Sequence, residues 1–478
     1  MLSRLPGFFE RYFICRSTGG HLSNGFHMSV CLNKPVDDVI LSNALRALLL
    51  KHPIHCLQFF RQDSLAGFLA ESSLLEDKKA NCKNYDARLV SQILYHDVVV
   101  HQEVESLDST FFRNLHDNRI PINVERPNWI LVVNQIKGSD KQYLTLSSNH
   151  VFIDGNSGVN FMDDLVKELA EVETIDDRLF VTVLFNSTKD APAVLPKANE
   201  DVVGLFNLTP WFIFKTIVRM ALIPSSVAKF FKSYFVPGHP NLYKHPIFDF
   251  YPVSHDNKSN FNRVTLTREA SAKSLRYCRL SGVTMTPFIA ACAMKALDST
   301  FAQLLTNSPS YTFSIDVCGR RYYPELKKEM RYGLFASTVG AVISGDSTIL
   351  QAAKKISTKL VDNLKSRACF PFAGLLRLVN FWDFFQEKYD KKAARTSIEV
   401  SNVGLLKINH ADWNVDDFIF SQGVGMDLLT ISASSTSLGG MNLVVANHES
   451  LDEVDKGHAM EQFIEKFQQY LENGETIY

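Results

Sequence analysis

The stretch SSNHVFIDGNSG, residues 147–158, decides the fold because it joins two elements of different period through a loop that carries a histidine. The preceding residues 142–148, QYLTLSS, are typical of a β-strand. After Gly155 the apolar residues recur at intervals of three and four, which predicts an amphipathic helix; they are Phe161, Met162, Leu165, Val166 and Leu169. The local architecture is therefore strand, histidine loop, helix.

Strand and helix patterns alternate on both sides of this stretch. Residues 127–136 form another strand segment, and the turn-like KGSDK that follows predicts a hairpin leading into His150. Residues 36–50 have helical spacing, and Pro53 stops that helix. In the second half of the chain, strands are predicted at 261–267 and 311–321 and helices at 268–281, 285–304 and 348–366. Each half is therefore predicted to be α/β.

The middle of the chain changes in composition. Residues 189–201 and 236–262 are rich in Pro, Asn and Asp, and they flank a strongly apolar piece, 202–235. We therefore predict an N-terminal half at 1–190, a connecting segment at 191–262 and a C-terminal half at 263–478.

Length and composition restrict the class of protein. A chain of 478 residues with 46% hydrophobic residues can bury more than one core, which favours two domains. The 50 Lys and Arg nearly balance the 51 Asp and Glu, so no global field attracts nucleic acid. The eight cysteines contain no CxxC pair, which is typical of reduced thiols, and residues 1–20 lack the pattern of a secretory signal. A cytoplasmic protein is expected.

Several common site motifs are missing from the sequence. It contains no G-x-S-x-G pentapeptide, no G-x-G-x-x-G and no P-loop, so it predicts neither a serine hydrolase nor a dinucleotide or ATP site. His52 and His55 have no further ligand at a useful spacing. No metal site is expected.

The side chain of His150 can by itself act as an acid–base catalyst. A neutral imidazole takes a proton from an attacking hydroxyl or amine and returns it to a leaving thiolate, as acyl transfer requires. Acyl transfer also needs a fixed tautomer of this ring, and it needs hydrogen-bond donors for the oxyanion of the tetrahedral intermediate. Asp154 is close enough along the loop to brace the His150 ring by pairing with a cation elsewhere in the chain. Gly155 is expected to permit the backbone conformation that ends the loop.

NHVFIDG resembles the HxxxDG motif of the CoA-dependent acyltransferase superfamily, which includes chloramphenicol acetyltransferase, the plant BAHD acyltransferases and the condensation domains. EVSNVG, Glu399–Gly404, resembles the SNxG strand that crosses to the other half, and SIDVCGRR, Ser314–Arg321, is similar to a strand that ends in arginine. Residues 420–451 resemble the closing strands. Within the superfamily, the chain is most similar to the fungal alcohol acetyltransferase family, with its related N-acetyltransferase of sphingoid-like inhibitors.

The resemblance implies two chloramphenicol-acetyltransferase-like halves, each a mixed sheet flanked by helices, with a tunnel between them. Acetyl-CoA would enter from one face and the acceptor from the other, and the acceptor would attack the thioester directly. The implied site residues are His150 as base, Asp154 as structural brace followed by Gly155, Arg320 or Arg321 as the partner of Asp154, and Ser401 and Asn402 close to CoA or the oxyanion.

Two departures from the superfamily pattern limit what carries over. The plant DFGWG motif is replaced by FSQGVG, residues 420–425. Asn149 stands where condensation domains have a second histidine, which argues against peptide condensation on carrier proteins.

Basic runs at 327–331 and 388–395 are either binding sites for the phosphates of CoA or solvated helix faces.

Three functions remain open at this point. The first is transfer of acetyl from acetyl-CoA to the hydroxyl of a lipophilic alcohol, a reaction of ester biosynthesis. The second is acetylation of the amine of a long-chain sphingoid-like compound, a detoxification. The third is a non-catalytic relative that binds a lipid or a partner. In each case we expect a monomer, with no nucleic acid bound.

Segment 205–235 is the candidate for membrane contact. Prolines and basic residues interrupt its apolar runs, so it is not expected to span a membrane. It is either a buried or substrate-shielding connector, or an interfacial helix pair with aromatic residues in the acyl boundary: Trp211, Phe212, Phe214, Phe230 and Phe231. The second interpretation places the protein peripherally on the endoplasmic reticulum or lipid droplets.

Overall fold

The computed structural model describes residues 2–19, 24–62, 71–221, 258–301, 310–390, 396–425 and 427–474. The strands in these ranges are β1 Ser3–Arg4, β2 Gly25–Leu32, β3 Leu57–Arg61, β4 Tyr85–Leu89, β5 Gln92–Leu94, β6 Val99–Val104, β7 Trp129–Ile136, β8 Gln142–Asn149, β9 Val183–Asn186, β10 Ser259–Leu266, β11 Ser310–Cys318, β12 Ala336–Ser344, β13 Ile398–Leu406, β14 Asn409–His410, β15 Trp413–Gln422, β16 Leu429–Thr436 and β17 Gly440–His448.

The helices in the same ranges are α1 Phe8–Gly19, α2 Asp38–Lys51, α3 Glu71–Ala80, α4 Tyr95–Val98, α5 Ser109–Asp117, α6 Gly155–Glu173, α7 Pro210–Ala221, α8 Arg268–Ser281, α9 Met285–Phe301, α10 Ile349–Ser366, α11 Cys369–Gly374, α12 Phe381–Asp390, α13 Glu449–Asp452 and α14 His458–Asn473.

Two mixed sheets of six strands organise the described chain. The first has the order β14-β15-β2-β8-β7-β6, and the second has the order β10-β17-β16-β13-β11-β12. Inner strands such as β2, β8 and β17 are buried along almost their whole length, as is typical of strands that are covered on both faces of a sheet. Two smaller sheets, β1-β4-β3 and β5-β9, complete the first half.

Each large sheet has its own hydrophobic core. In the first, α2 and α6 bury leucines such as Leu45 and Leu165 together with Phe26 and Met28 of β2. In the second, α9 is buried along most of its length among α10, α14 and the sheet, so its sequence is apolar on nearly every face. The elements predicted around residue 150 are confirmed by β8 and α6.

The strand that crosses between the halves differs from the prediction. Glu399–Gly404 lies in β13, which stays inside the second sheet between β11 and β16, so the prediction that it crosses was wrong. The crossing strand is β15, which pairs with β2 of the first sheet. The reason is packing: Phe418 and Phe420 of β15 are buried in the first core, whereas Ile398 and Val400 of β13 are buried in the second.

The predicted division at 190 and 262 stays a prediction. The second half of the chain contributes β14 and β15 to the first sheet, so that sheet contains strands from both sides of the division. Residues 222–257 of the predicted connecting segment lie outside the described residues.

Candidate active site

His150 directly follows β8, where its backbone N–H donates to the carbonyl oxygen of Asn24 at 2.9 Å. Its ring Nδ1 lies 3.0 Å from the carbonyl oxygen of Ile153. A carbonyl only accepts hydrogen bonds, so Nδ1 carries the proton and Nε2 holds the lone pair. The loop itself therefore selects the tautomer that a general base needs.

Aromatic packing fixes the plane of this ring. Phe13 stacks on His150 with ring centroids 5.2 Å apart, and Phe26 lies 4.6 Å away. Burial lowers the pKa of His150 to about 4, and the positive charge of Arg16 adds to this, while the Ile153 carbonyl and the Asp154 carboxylate act in the opposite direction. The imidazole is therefore neutral at pH 7.

Asp154 caps α6 and joins the two halves of the chain. Its Oδ1 accepts from the backbone N–H and the hydroxyl of Ser157, both at 2.9 Å. Its Oδ2 accepts from Arg320 Nη1 at 2.7 Å and from the backbone N–H of Phe335 at 2.9 Å. Burial alone would raise the pKa of Asp154, but Arg320 and these hydrogen bonds lower it overall. All of these contacts are with groups other than the imidazole, which suits a brace.

The two candidate arginines differ in position. Arg320 follows β11 in a short helical turn and is held by the carbonyl oxygens of Met330 at 2.6 Å and Gly333 at 3.2 Å. Arg321 lies with its guanidinium 6.0 Å from the ring of Tyr322. Arg320 is thus the residue of the pair that contacts Asp154.

Ser157 belongs to the same network, although the sequence analysis did not single it out. Its buried hydroxyl oxygen accepts hydrogen bonds from Arg320 Nη2 at 2.8 Å and from the backbone N–H of Gly333 at 3.0 Å. The available signal was its place three residues after a capping aspartate, where a backbone N–H faces the cap. The hydroxyl ties the start of α6 to the segment before β12.

Gly155 does not have the role expected of it. It is the first residue of α6 and is not among the glycines with positive φ, so no left-handed conformation requires a glycine there. A Cβ at this position would lie 3.4 Å from Val403 Cγ1, an ordinary contact. Of the two glycines in α6, the tightly packed one is Gly158, whose Cβ would lie 2.7 Å from Phe26 Cε2 and 2.8 Å from Met28 Sδ.

Ser401 and Asn402 lie on β13, and their expected roles stay predictions. Asn402 donates from Nδ2 to Thr286 Oγ1 at 3.0 Å and accepts from the backbone N–H of Gly404 at 2.8 Å, while Ser401 is buried. The residue of this strand that lines the cavity beside His150 is Glu399.

That cavity has a volume of about 740 Å³, which suits a small-molecule ligand. Its apolar lining residues include Phe9, Tyr12, Phe13, Leu334, Phe372, Leu376 and Phe384. Its polar lining residues include Asp316, Thr338, Glu399, Gln422, Asp427 and Thr430. His150 therefore lines a chamber that has both aromatic and acidic side chains.

The model of the alcohol acetyltransferase family matches residues 6–472. The chain belongs to the alcohol acetyltransferase family. As a member of this family, the protein is a CoA-dependent acyltransferase with acyl-CoA as co-substrate. A search of curated protein sequences finds no match.

Solved structures resemble this chain over nearly its whole length. The TRI3 trichothecene 15-O-acetyltransferase from Fusarium sporotrichioides has a TM-score of 0.63 at 14% identity, covering 97% of this chain and 95% of its own. The condensation domain of the Monacolin K polyketide synthase MokA has a TM-score of 0.60 at 13% identity, covering 99% and 98%. The first condensation domain of the CDA synthetase has a TM-score of 0.55 at 13% identity, covering 97% and 96%. Identities this low show the fold, and the predicted two-halved acyltransferase fold is confirmed.

The structure describes only part of the two basic runs that were considered as binding sites for the phosphates of CoA. Arg331 pairs with Asp163 at 2.8 Å and Asp164 at 2.6 Å, so its guanidinium holds α6. Residues 391–395 of the second run lie outside the described residues.

The apolar segment is also described in part. In α7, Trp211 is 70% exposed and Phe214 is 57% exposed, whereas 222–235, with Phe230 and Phe231, lies outside the described residues. Within the described ranges, no single helix is long and apolar enough to span a membrane; α8 and α9 would pass such a test only as a pair bent by 102°. The same ranges contain no group of three or more His, Cys, Asp or Glu side chains placed to hold a metal ion.

Proposed function

We propose that this protein transfers an acetyl group from acetyl-CoA to the hydroxyl of a lipophilic alcohol, with His150 as general base. The observation that carries the proposal is the hydrogen bond from His150 Nδ1 to Ile153, since it leaves the Nε2 lone pair for a substrate in the cavity. The aromatic residues that line the cavity support a lipophilic acceptor. The name of the TRI3 neighbour, an O-acetyltransferase, supports a hydroxyl acceptor.

In the proposed reaction, Nε2 of His150 takes the hydroxyl proton as the acceptor oxygen attacks the acetyl carbonyl. A C–O bond forms and the tetrahedral intermediate collapses with cleavage of the C–S bond. The thiolate of CoA then takes the proton back from the imidazolium, so atoms and charges balance. In this scheme Asp154 and Arg320 position the loop and leave the proton transfer to His150.

The test is release of free thiol from acetyl-CoA in the presence of a panel of medium- and long-chain alcohols. Wild type should release thiol with at least one alcohol, and His150→Ala should lower the rate by roughly two to four orders of magnitude. Thermal denaturation of both proteins would check that the variant is folded. Wild-type turnover in a folded His150→Ala protein would reject the general-base role. Absence of thiol release by wild type with every alcohol would reject a lipophilic alcohol as the acceptor.

A further inference from the structure

Helix α7 presents a pair of aromatic side chains to solvent. Trp211 is 70% exposed and Phe214 is 57% exposed, and their ring centroids lie 5.7 Å apart in a stacked arrangement. All four tryptophans of the chain lie in the described ranges, and Trp211 is the exposed one. Large apolar side chains that are exposed side by side mark a surface that binds another molecule or a membrane.

A second apolar element lies beside this pair. The stretch 369–378 consists of α11 and the short 3₁₀ helix that follows it, and it is apolar along most of its length. Phe372 is 58% exposed, and its ring centroid lies 6.1 Å from that of Phe212 in α7. The two elements are therefore neighbours. Their exposed aromatic residues form what we call the docking surface: Trp211, Phe214 and Phe372.

The two elements are basic as well as apolar. Residues 210–221 contain two Lys or Arg, residues 363–380 contain three, and neither range contains Asp or Glu. The whole chain, in contrast, balances 50 Lys and Arg against 51 Asp and Glu. Lys215, Lys365 and Arg367 are exposed. Aromatic rings combined with cations are typical of membrane interfaces, where the rings enter the acyl boundary and the cations contact anionic headgroups.

The docking surface adjoins the cavity that contains His150. Phe372 lines this cavity, as do Ala373 and Leu376 of the same stretch. The stretch 369–378 therefore contributes side chains both to the cavity and to the docking surface. A lipophilic acceptor that is dissolved in a bilayer would have a short path to the cavity if this surface rested on the bilayer.

We propose that the docking surface binds an anionic phospholipid bilayer, with Trp211 and Phe214 in the acyl boundary and the basic side chains at the headgroups. Resting on the proposed function, this contact also delivers the lipophilic acceptor from the bilayer to the cavity beside Phe372. A second copy of the chain that docked through the same face would bring like charges together, which disfavours self-association there. An anionic bilayer complements those charges.

The first experiment measures binding of the full-length protein to vesicles by co-sedimentation. One set of vesicles contains phosphatidylcholine alone, and the other contains equimolar phosphatidylcholine and phosphatidylserine. We expect tighter binding to the second set, weakened by salt because the basic side chains contribute. Tryptophan fluorescence should shift to shorter wavelength as Trp211 leaves water. Absence of wild-type binding to both sets would overturn the proposal.

A double variant, Trp211→Ser with Phe214→Ser, tests the surface itself. Its affinity for the mixed vesicles should fall by about tenfold or more, since burial of even one large apolar side chain is worth about that factor. Both side chains are exposed, so thermal denaturation should match wild type. Leu280→Ser on α8, where the leucine is 84% exposed, is the matched control and should keep the wild-type affinity. Equal affinities of the double variant and wild type would overturn the proposal.

The second experiment tests delivery of the acceptor. Thiol release from acetyl-CoA is measured with a water-soluble short-chain alcohol and with a long-chain alcohol carried in the mixed vesicles. Neither Trp211 nor Phe214 lines the cavity, so the double variant should keep the wild-type kcat/KM for the short-chain alcohol. Its rate with the vesicle-borne alcohol should fall by about tenfold. An unchanged rate with the vesicle-borne alcohol would overturn delivery through this surface.

The outcomes separate this inference from the proposed function. Vesicle binding by wild type without thiol release from any alcohol would reject the proposed function and leave the docking surface. Size-exclusion chromatography tests the rival occupant. A wild-type dimer that the double variant converts to a monomer, without vesicle binding, would show that the surface joins two copies of the chain and would overturn the proposal.

Discussion

Arg320, in the turn after β11, donates from Nη1 to Oδ2 of Asp154 at the start of α6, with a separation of 2.7 Å. The contact joins residues 166 positions apart and fixes the histidine loop to the other half of the chain. Because the loop carries His150, this ion pair links the stability of the interface to the geometry of the proposed base.

We expect Asp154→Asn to lower the free energy of unfolding by about 3–5 kcal/mol, the usual cost when one partner of a buried ion pair is removed and the other stays charged. Arg320 would keep its charge with only neutral partners. Chemical denaturation measures the change, and thiol release should fall in parallel because the loop loses its brace. Asp346→Asn, an exposed change near α10, is the control. Equal unfolding curves for Asp154→Asn and wild type would refute the brace.

Ser157→Ala should cost about 1–3 kcal/mol of stability, because it leaves the buried N–H of Gly333 without its acceptor and removes one of the two acceptors of Arg320 Nη2. Urea denaturation compared with Ser366→Ala, an exposed serine near the end of α10, isolates the buried contribution. A loss no larger than that of the control would mean that the hydroxyl is replaceable.

The two glycines at the start of α6 should respond differently to alanine. Gly158→Ala forces a Cβ against Phe26 and Met28, and such overpacking typically costs about 1–3 kcal/mol. Gly155→Ala meets only ordinary contacts and should leave the melting temperature close to wild type. Differential scanning calorimetry on both variants tests the contrast, and a larger loss for Gly155→Ala would contradict the packing described.

Stability should fall on mild acidification. Burial lowers the pKa to about 3 for His27 and His55, to about 4 for His150 and His448, and well below its usual value for His116. In the unfolded chain these rings are protonated near pH 6.5, so between about pH 6.5 and 4 the unfolded chain binds more protons than the folded chain. Acidification through this range therefore lowers the free energy of unfolding. Each ring should lower the free energy of unfolding by up to about 1.4 kcal/mol for each pH unit of acidification in this window.

Urea denaturation at pH 7, 6 and 5 measures that slope. His55→Gln should make it shallower by about the contribution of one ring. His458→Gln, at a position whose side chain is 65% exposed, should leave it unchanged. A free energy of unfolding that is constant from pH 7 to 5 would show that the buried rings are protonated as easily as in the unfolded chain.

The pH profile of the reaction should follow His150. With a pKa of about 4, the ring stays unprotonated, so kcat/KM should remain level down to about pH 5 and fall below it. Arg16→Gln removes a positive charge that disfavours the protonated ring, so it should raise the pKa and move the acid limb to higher pH. Short assays started by dilution into acidic buffer limit unfolding. An acid limb near pH 6.5 in wild type would mean that the ring is solvated.

Much of the fold is local in origin and was accessible from the sequence. The strand before His150, the helix after it and the helix at 268–281 follow from apolar spacing, which depends only on the period of each element. The choice of Arg320 over Arg321 was not accessible, because adjacent residues at the end of a strand differ in direction only once the turn is built.

The sequence by itself determined the strand–histidine loop–helix unit, the α/β character of both halves and the membership of the alcohol acetyltransferase family. Only the tertiary structure decided that β15 crosses to the first sheet, that Gly158 and not Gly155 is the closely packed glycine, and that Glu399 lines the cavity beside His150. Spacing along the chain specifies which face of an element is apolar. Strand register and side-chain packing between segments far apart in sequence specify what that face meets.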